Sequence, residues 1–250
     1  MSKSAVEAVA RAPARGVTEE ADEIFGRLMG QIYSFSEVLA REHIKVGTDF
    51  HESSLSAWRS YSSERKRKIF EDFCRYSSLI REVLSEGVSL LEHKRVVWAA
   101  MRILRMRPPH DAFSFLRDDE VIEIYNRDHI QIFRNVKFFE LCGYSVFDVL
   151  VQDWPSLYDR KPADITPAIF KQTELSFEVD SRSEYYQNIP DHILHEKFSS
   201  DQRKLLISMG MHAPVYDLNV KSPVPMGVLV SLRAQIVHHY AFCFLFLLFV

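Results

Sequence analysis

The stretch that decides the fold is residues 135–157, NVKFFELCGYSVFDVLVQDWPSL. Asn135 follows an apolar run, and Phe138, Leu141, Gly143 and Tyr144 fall at intervals that suit one short helical turn ending in a glycine. Glycine lacks the Cβ that penalises positive φ, so it closes such a turn cheaply. Val146, Phe147, Leu150, Val151 and Trp154 then recur at three- and four-residue steps, which predicts a helix with one apolar face.

Working outward, both flanks read as strands. VIEIYN (121–126) and HIQIFRN (129–135) predict a hairpin turning at Arg127 and Asp128, with Ile122, Ile124, Ile130 and Ile132 on its buried side. HILHEKF (192–198) supplies a third strand. In KLLISMGMHAPVYD (204–217), Leu205, Ile207, Met209 and Met211 alternate with Ser208, Gly210 and His212. In GVLVSLRAQIV (227–237), Val228, Val230, Leu232, Ala234 and Ile236 alternate with Ser231, Arg233 and Gln235. Period-two runs of this kind suit an antiparallel sheet with one buried face. The polar stretch 159–190, with Pro162, Pro167 and a helix around Ile169, is longer than an ordinary connection and is a candidate flexible or ligand-covering segment.

The pattern N-x-x-F-x-x-L-x-G-Y-S, followed by a helix and W-x-x-L, resembles the PAS family of sensory and interaction domains over about residues 118–237. Asn135, Gly143, Tyr144 and Ser145 carry the resemblance. It implies an α+β domain with a five-stranded antiparallel sheet and helices on one face. It also implies a regulatory role in signal transduction, with a small ligand or a protein partner sensed by the domain.

The preceding chain is helical in pattern, so the expected division is a tail over 1–17, an all-α region over 18–108, the PAS-like domain over 118–237 and an apolar tail over 238–250. Thr18, followed by acidic residues, suits a helix cap, and Gly47 suits the end of that helix. A second helix is expected from Ser54 to Leu84. A third, from Val88 to Met106, stops at Pro108 and Pro109 and joins the two regions.

Composition bounds the function. The 250 residues carry 31 Lys and Arg against 34 Asp and Glu, a net charge of −3, which argues against nucleic-acid binding through the overall field. The three cysteines, Cys74, Cys142 and Cys243, form no C-x-x-C pair, so a cytoplasmic protein with reduced thiols is expected. No continuous apolar segment opens the chain as a secretory signal would, and the apolar end from Tyr240 to Val250 is shorter than a bilayer span. Phosphate-binding loops, dinucleotide fingerprints and hydrolase or zinc-protease motifs do not occur, so no catalytic residues are assigned and no enzymatic activity is expected.

Phe133, Phe138, Leu141, Phe147, Trp154, Met209 and Met211 are the candidate pocket residues. No cofactor is required. His192 and His195 are the nearest to a haem-ligating pair, but their odd spacing puts them on opposite sides of a strand. The flavin-binding members of the family carry N-C-R-F-L-Q, which this chain lacks. Expected partners are a second copy of the chain, a signalling protein and a small molecule. Two alternatives stand beside the sensor: a ligand-free interaction or dimerisation module, and a DNA- or membrane-associated regulator using the basic runs Arg65–Lys66–Arg67–Lys68 and Arg102, Arg105 and Arg107.

Overall fold

Amphipathic periodicity generates the first half of the molecule. In the computed structural model, which describes residues 15–109, 111–178, 189–220 and 224–237, the helices are α1 (Arg15–Arg41), α2 (Glu52–Ser60), α3 (Ser63–Ser85) and α4 (His93–Ile103). The expected tail at 1–14 and the apolar end at 238–250 lie outside the described residues. Thr18 sits inside α1 rather than at its cap, and α1 ends at Arg41, before Gly47. The expected helix from Ser54 to Leu84 is two helices. Serine competes for backbone hydrogen bonds, and Ser62 accepts one from Arg65 N–H at 3.2 Å, capping α3 after an extended Tyr61.

The joining helix is also shorter than expected. Its chain turns at Arg105, which adopts φ 56°, and the next two residues form strand β1 (Met106–Arg107) ahead of the prolines. The remaining elements are α5 (Ala112–Phe115), β2 (Val121–Asn126), β3 (Gln131–Arg134), α6 (Lys137–Leu141), α7 (Val146–Val151), α8 (Trp154–Leu157), β4 (Tyr158–Lys161), α9 (Ile165–Glu178), β5 (His192–Glu196), β6 (Lys204–Asp217) and β7 (Gly227–Ile236).

The fold is α+β. The five expected strands form an open antiparallel sheet in the order β3-β2-β7-β6-β5, and two short additions extend it: β4 beyond β5, and β1 against the far end of β6. The first four residues of β2 are all buried, so both faces of the sheet are screened from water at its centre. Ile122 and Ile124 are buried as expected. Ile130 is 39% exposed and Ile132 is half-buried, because the hairpin bends through a register shift after Ile124 and the buried pair on β3 becomes Phe133 and Arg134.

One apolar core runs through both regions. Phe35 of α1 meets Phe73 of α3 edge-on at 5.5 Å, and Phe147 of α7 packs against Phe25, Phe50 and Trp58 at 5.7, 4.7 and 6.1 Å. Polar bonds tie the same seam. Tyr61 OH donates to Val151 O at 2.7 Å, Tyr76 OH to Arg134 O at 2.9 Å, and His51 N–H to Asp148 Oδ1 at 2.9 Å. The basic runs are largely occupied structurally. Lys66 is buried with its ammonium 5.8 Å from the Trp58 ring, Lys68 pairs with Asp72 at 3.7 Å, and Arg102 pairs with Glu86. Among the described residues no helix is long and apolar enough to cross a membrane.

Asn135 fastens the start of the central stretch. Fully buried, it accepts a hydrogen bond from Ile122 N–H at 3.1 Å and donates to Glu120 O at 2.9 Å, replacing the ladder where β2 and β3 diverge. Asn135→Ala orphans one buried donor and one buried acceptor and is expected to cost roughly 2–4 kcal/mol. The loss is read as a lower urea midpoint at unchanged m-value.

Candidate functional site

A cavity of about 400 Å³ lies between the sheet and the helices that cross it. Its floor is Val121, Leu205, Ile207, Met209, Val230, Leu232 and Ala234 from the middle strands, with Leu194 from β5. Phe138 and Leu141 of α6 and Trp154 of α8 form one wall, and Ile169, Phe170 and Thr173 of α9 form the roof. The helix expected around Ile169 is α9. The part of the 159–190 stretch at 179–188 lies outside the described residues.

The backbone holding that wall is pinned by a buried carboxylate. Glu196 of β5, at 0% exposure, accepts from Gly143 N–H at 2.6 Å, from Arg203 N–H at 3.2 Å and from the Ser199 hydroxyl. Gly143 was expected to close its turn through positive φ, but its φ is not positive. What excludes a side chain is space: a Cβ there would sit 2.5 Å from Glu196 Oε2. Tyr144 adds a second clasp, its hydroxyl donating to Leu157 O at 2.5 Å and accepting from Lys197 N–H at 2.9 Å. Ser145 caps α7 in a reciprocal capping box with Asp148. The single run expected to share one helical face, Val146 to Trp154, is divided between α7 and α8, because Asp153 starts a new cap by accepting from Ser156 N–H at 3.1 Å.

Four of the seven candidate pocket residues line the cavity: Phe138, Leu141, Trp154 and Met209. The other three do not. Phe147 belongs to the seam with the helical region. Phe133 faces a second, smaller hollow beside Tyr76 and Leu79 of α3. Met211 is displaced by a β-bulge at Gly210, where a Cβ would approach Ser231 Oγ to 2.5 Å; the extra residue reverses the alternation, and His212 takes the cavity face in its stead. A glycine inside a strand is the sequence signal for such a bulge.

No sequence motif marks the polar end of the cavity. Glu123 and Tyr125 of β2, Arg160 of β4 and His212 of β6 all line it. Glu123 is matched: its Oε1 accepts from Arg134 Nε at 2.7 Å, its Oε2 accepts from Tyr125 OH at 2.6 Å, and both ion-pair side chains are 5% exposed. The Arg134 guanidinium also lies 3.8 Å from the Phe138 ring centre and 4.7 Å from that of Trp154. Burial pulls Arg160 below the usual guanidinium range, and the field of Glu123 opposes this. His212 is 2% exposed, its Nε2 has no partner among the described residues, and burial lowers its pKa to about 4.

The haem candidates fall elsewhere. His192 Nε2 accepts from Arg160 Nη1 at 2.6 Å, its Nδ1 donates to Pro190 O at 3.1 Å, and neither His192 nor the half-buried His195 lines the cavity. The described residues contain no cluster of His, Cys, Asp and Glu fit to hold a metal. Cys142 is a buried thiol bonded to Tyr158 OH at 3.2 Å, and burial pushes its pKa up to about 12, which keeps it protonated.

The chain matches no family model, no curated protein and no solved structure.

His212 makes the site sensitive to acid. The unfolded imidazole titrates near 6.5 and the folded one near 4, so between these values only the unfolded chain takes up the proton. Stability therefore falls as the pH drops through that window and levels off below it. His212→Gln removes this contribution: the wild-type protein is expected to lose about 2 kcal/mol more than the variant between pH 7 and pH 5, read from urea midpoints.

Proposed function

We propose that the protein is a regulatory signal-transduction component whose PAS-like domain binds a small molecule in the cavity beneath α9. The observation that carries this reading is the cavity itself. Interiors are ordinarily close-packed, and a space of about 400 Å³ with aromatic walls and converging polar groups at one end has the character of a ligand site. The Asn135, Gly143, Tyr144 and Ser145 framework and the antiparallel sheet with crossing helices support the PAS-like assignment.

The structure also offers a route outward. β6 carries Met209 and His212 on the cavity face, and its far end pairs with β1 through Met106–Asp217 and Arg107–Tyr216. Since β1 follows α4 directly, movement of β6 reaches the joining helix through backbone hydrogen bonds. A ligand drives such movement only by binding one arrangement more tightly than the other, typically by 1–3 kcal/mol.

A second reading, a dimerisation module, is favoured by Trp98 of α4. It is 58% exposed and stands edge-on to Phe113 at 4.9 Å, and Leu91, just ahead of α4, is exposed as well. Apolar surface of this kind suits a second copy of the chain.

An absorption spectrum of the freshly purified protein, followed by native and denaturing mass spectrometry, tests the function. A small mass present in the native spectrum and released on denaturation is the expected result. A colourless dimer with no added mass supports the dimerisation module instead.

A further inference from the structure

The charges around the cavity do not cancel. Arg134 and Glu123 form a closed pair with Tyr125, so that carboxylate is already matched by a guanidinium at 2.7 Å. His212, its imidazole titrating near 4, is neutral at pH 7. Arg160 is therefore the surplus cation. Its hydrogen-bond partner is the neutral His192 ring, which accepts at 2.6 Å and brings no negative charge, and among the described residues no carboxylate pairs with it. A guanidinium drawn from water without a counter-ion is costly, and an anion seated beside it removes that cost. Lys197 and Asp159, which also line the cavity, neutralise each other at 3.1 Å and leave the balance unchanged.

Resting on the ligand-site reading above, we propose that the cavity takes an apolar monocarboxylic acid, its carboxylate on Arg160 and its hydrocarbon or aryl body along Leu194, Ile207, Leu232, Phe138 and Trp154. The planar fork of Arg160 suits a carboxylate, and His212 Nε2 offers a further polar contact in the same cavity. The walls set the rest of the class. Along Leu194, Ile207, Leu232, Phe138 and Trp154 a second charge on the ligand would meet no partner, and Lys197, the other cation on the lining, is already matched by Asp159. Dicarboxylates and phosphorylated metabolites are thereby disfavoured.

The test is a calorimetric titration of the full chain with four probes: dodecanoate, 1-naphthaleneacetate and their neutral counterparts, 1-dodecanol and 1-naphthaleneacetamide, all below their aggregation limits. At least one acid is expected to bind tenfold or more tightly than its neutral counterpart. Arg160→Gln should erase that preference while leaving the neutral probe's affinity in place, and Arg160→Lys should keep part of it. Which acid prevails tells a fatty chain from an aryl ring. Equal affinity of acid and neutral probe for the wild-type protein would overturn the carboxylate assignment while leaving the ligand site standing. Absence of binding by all four up to their aggregation limits would overturn both. The acid-versus-neutral comparison uses the unaltered protein, so it decides the matter even if a variant at Arg160 fails to fold.

Discussion

The carboxylate of Glu196 is the fastening on which the rest of the domain depends. It sits on β5, fully buried, and its acceptor sites take hydrogen bonds from Gly143, Ser199 and Arg203. A buried carboxylate is tolerated only when its lone pairs are satisfied, so the three donors are as necessary to Glu196 as it is to them. The consequence is geometric. The chain between α6 and α7 is held against β5, Tyr144 clasps the turn at 197–198 from the same point, and the helical segment stands off the sheet at a fixed distance. The space left between them is the cavity, closed from above by α9.

Inside that frame the polar groups divide by their partners. Glu123, Arg134 and Tyr125 bond one another, with the guanidinium close to the Phe138 and Trp154 rings and its Nη2 without a partner among the described residues. His212 has no such closure, its buried Nε2 being without a partner among the described residues, and among them no carboxylate pairs with the half-buried Arg160. Both line the cavity and give it a polar end.

Much of the architecture was legible in the sequence because it rests on local rules. Alternation placed β5, β6 and β7, the Asn135-to-Ser145 spacing placed the central helices, and the long polar stretch announced a covering helix. The site itself was half legible. Phe138, Leu141, Trp154 and Met209 face the cavity as their periodicity implies, but three features required long-range information. Gly210 signals a bulge, but only the pairing of β6 with β7 shows where the extra residue falls and that it exchanges Met211 for His212. Phe147 was drawn to the aromatic cluster of Phe25, Phe50 and Trp58, residues about a hundred positions earlier. Glu123 and Tyr125 alternate with Ile122 and Ile124, and alternation assigns such residues to water. Glu123 is buried and Tyr125 half-buried because helices cover that face as well, a fact of tertiary packing that no strand pattern contains.

The central claim is that the space under α9 is a binding site. Methyl-resolved NMR during titration with 1-naphthaleneacetate tests it most directly. The account predicts shifts concentrated on the cavity methyls of Leu194, Leu205, Ile207, Val230 and Leu232, with Ile69, Ile80 and Val83 of α3 nearly unmoved. Shifts confined to α3, or spread evenly over the surface, would contradict it.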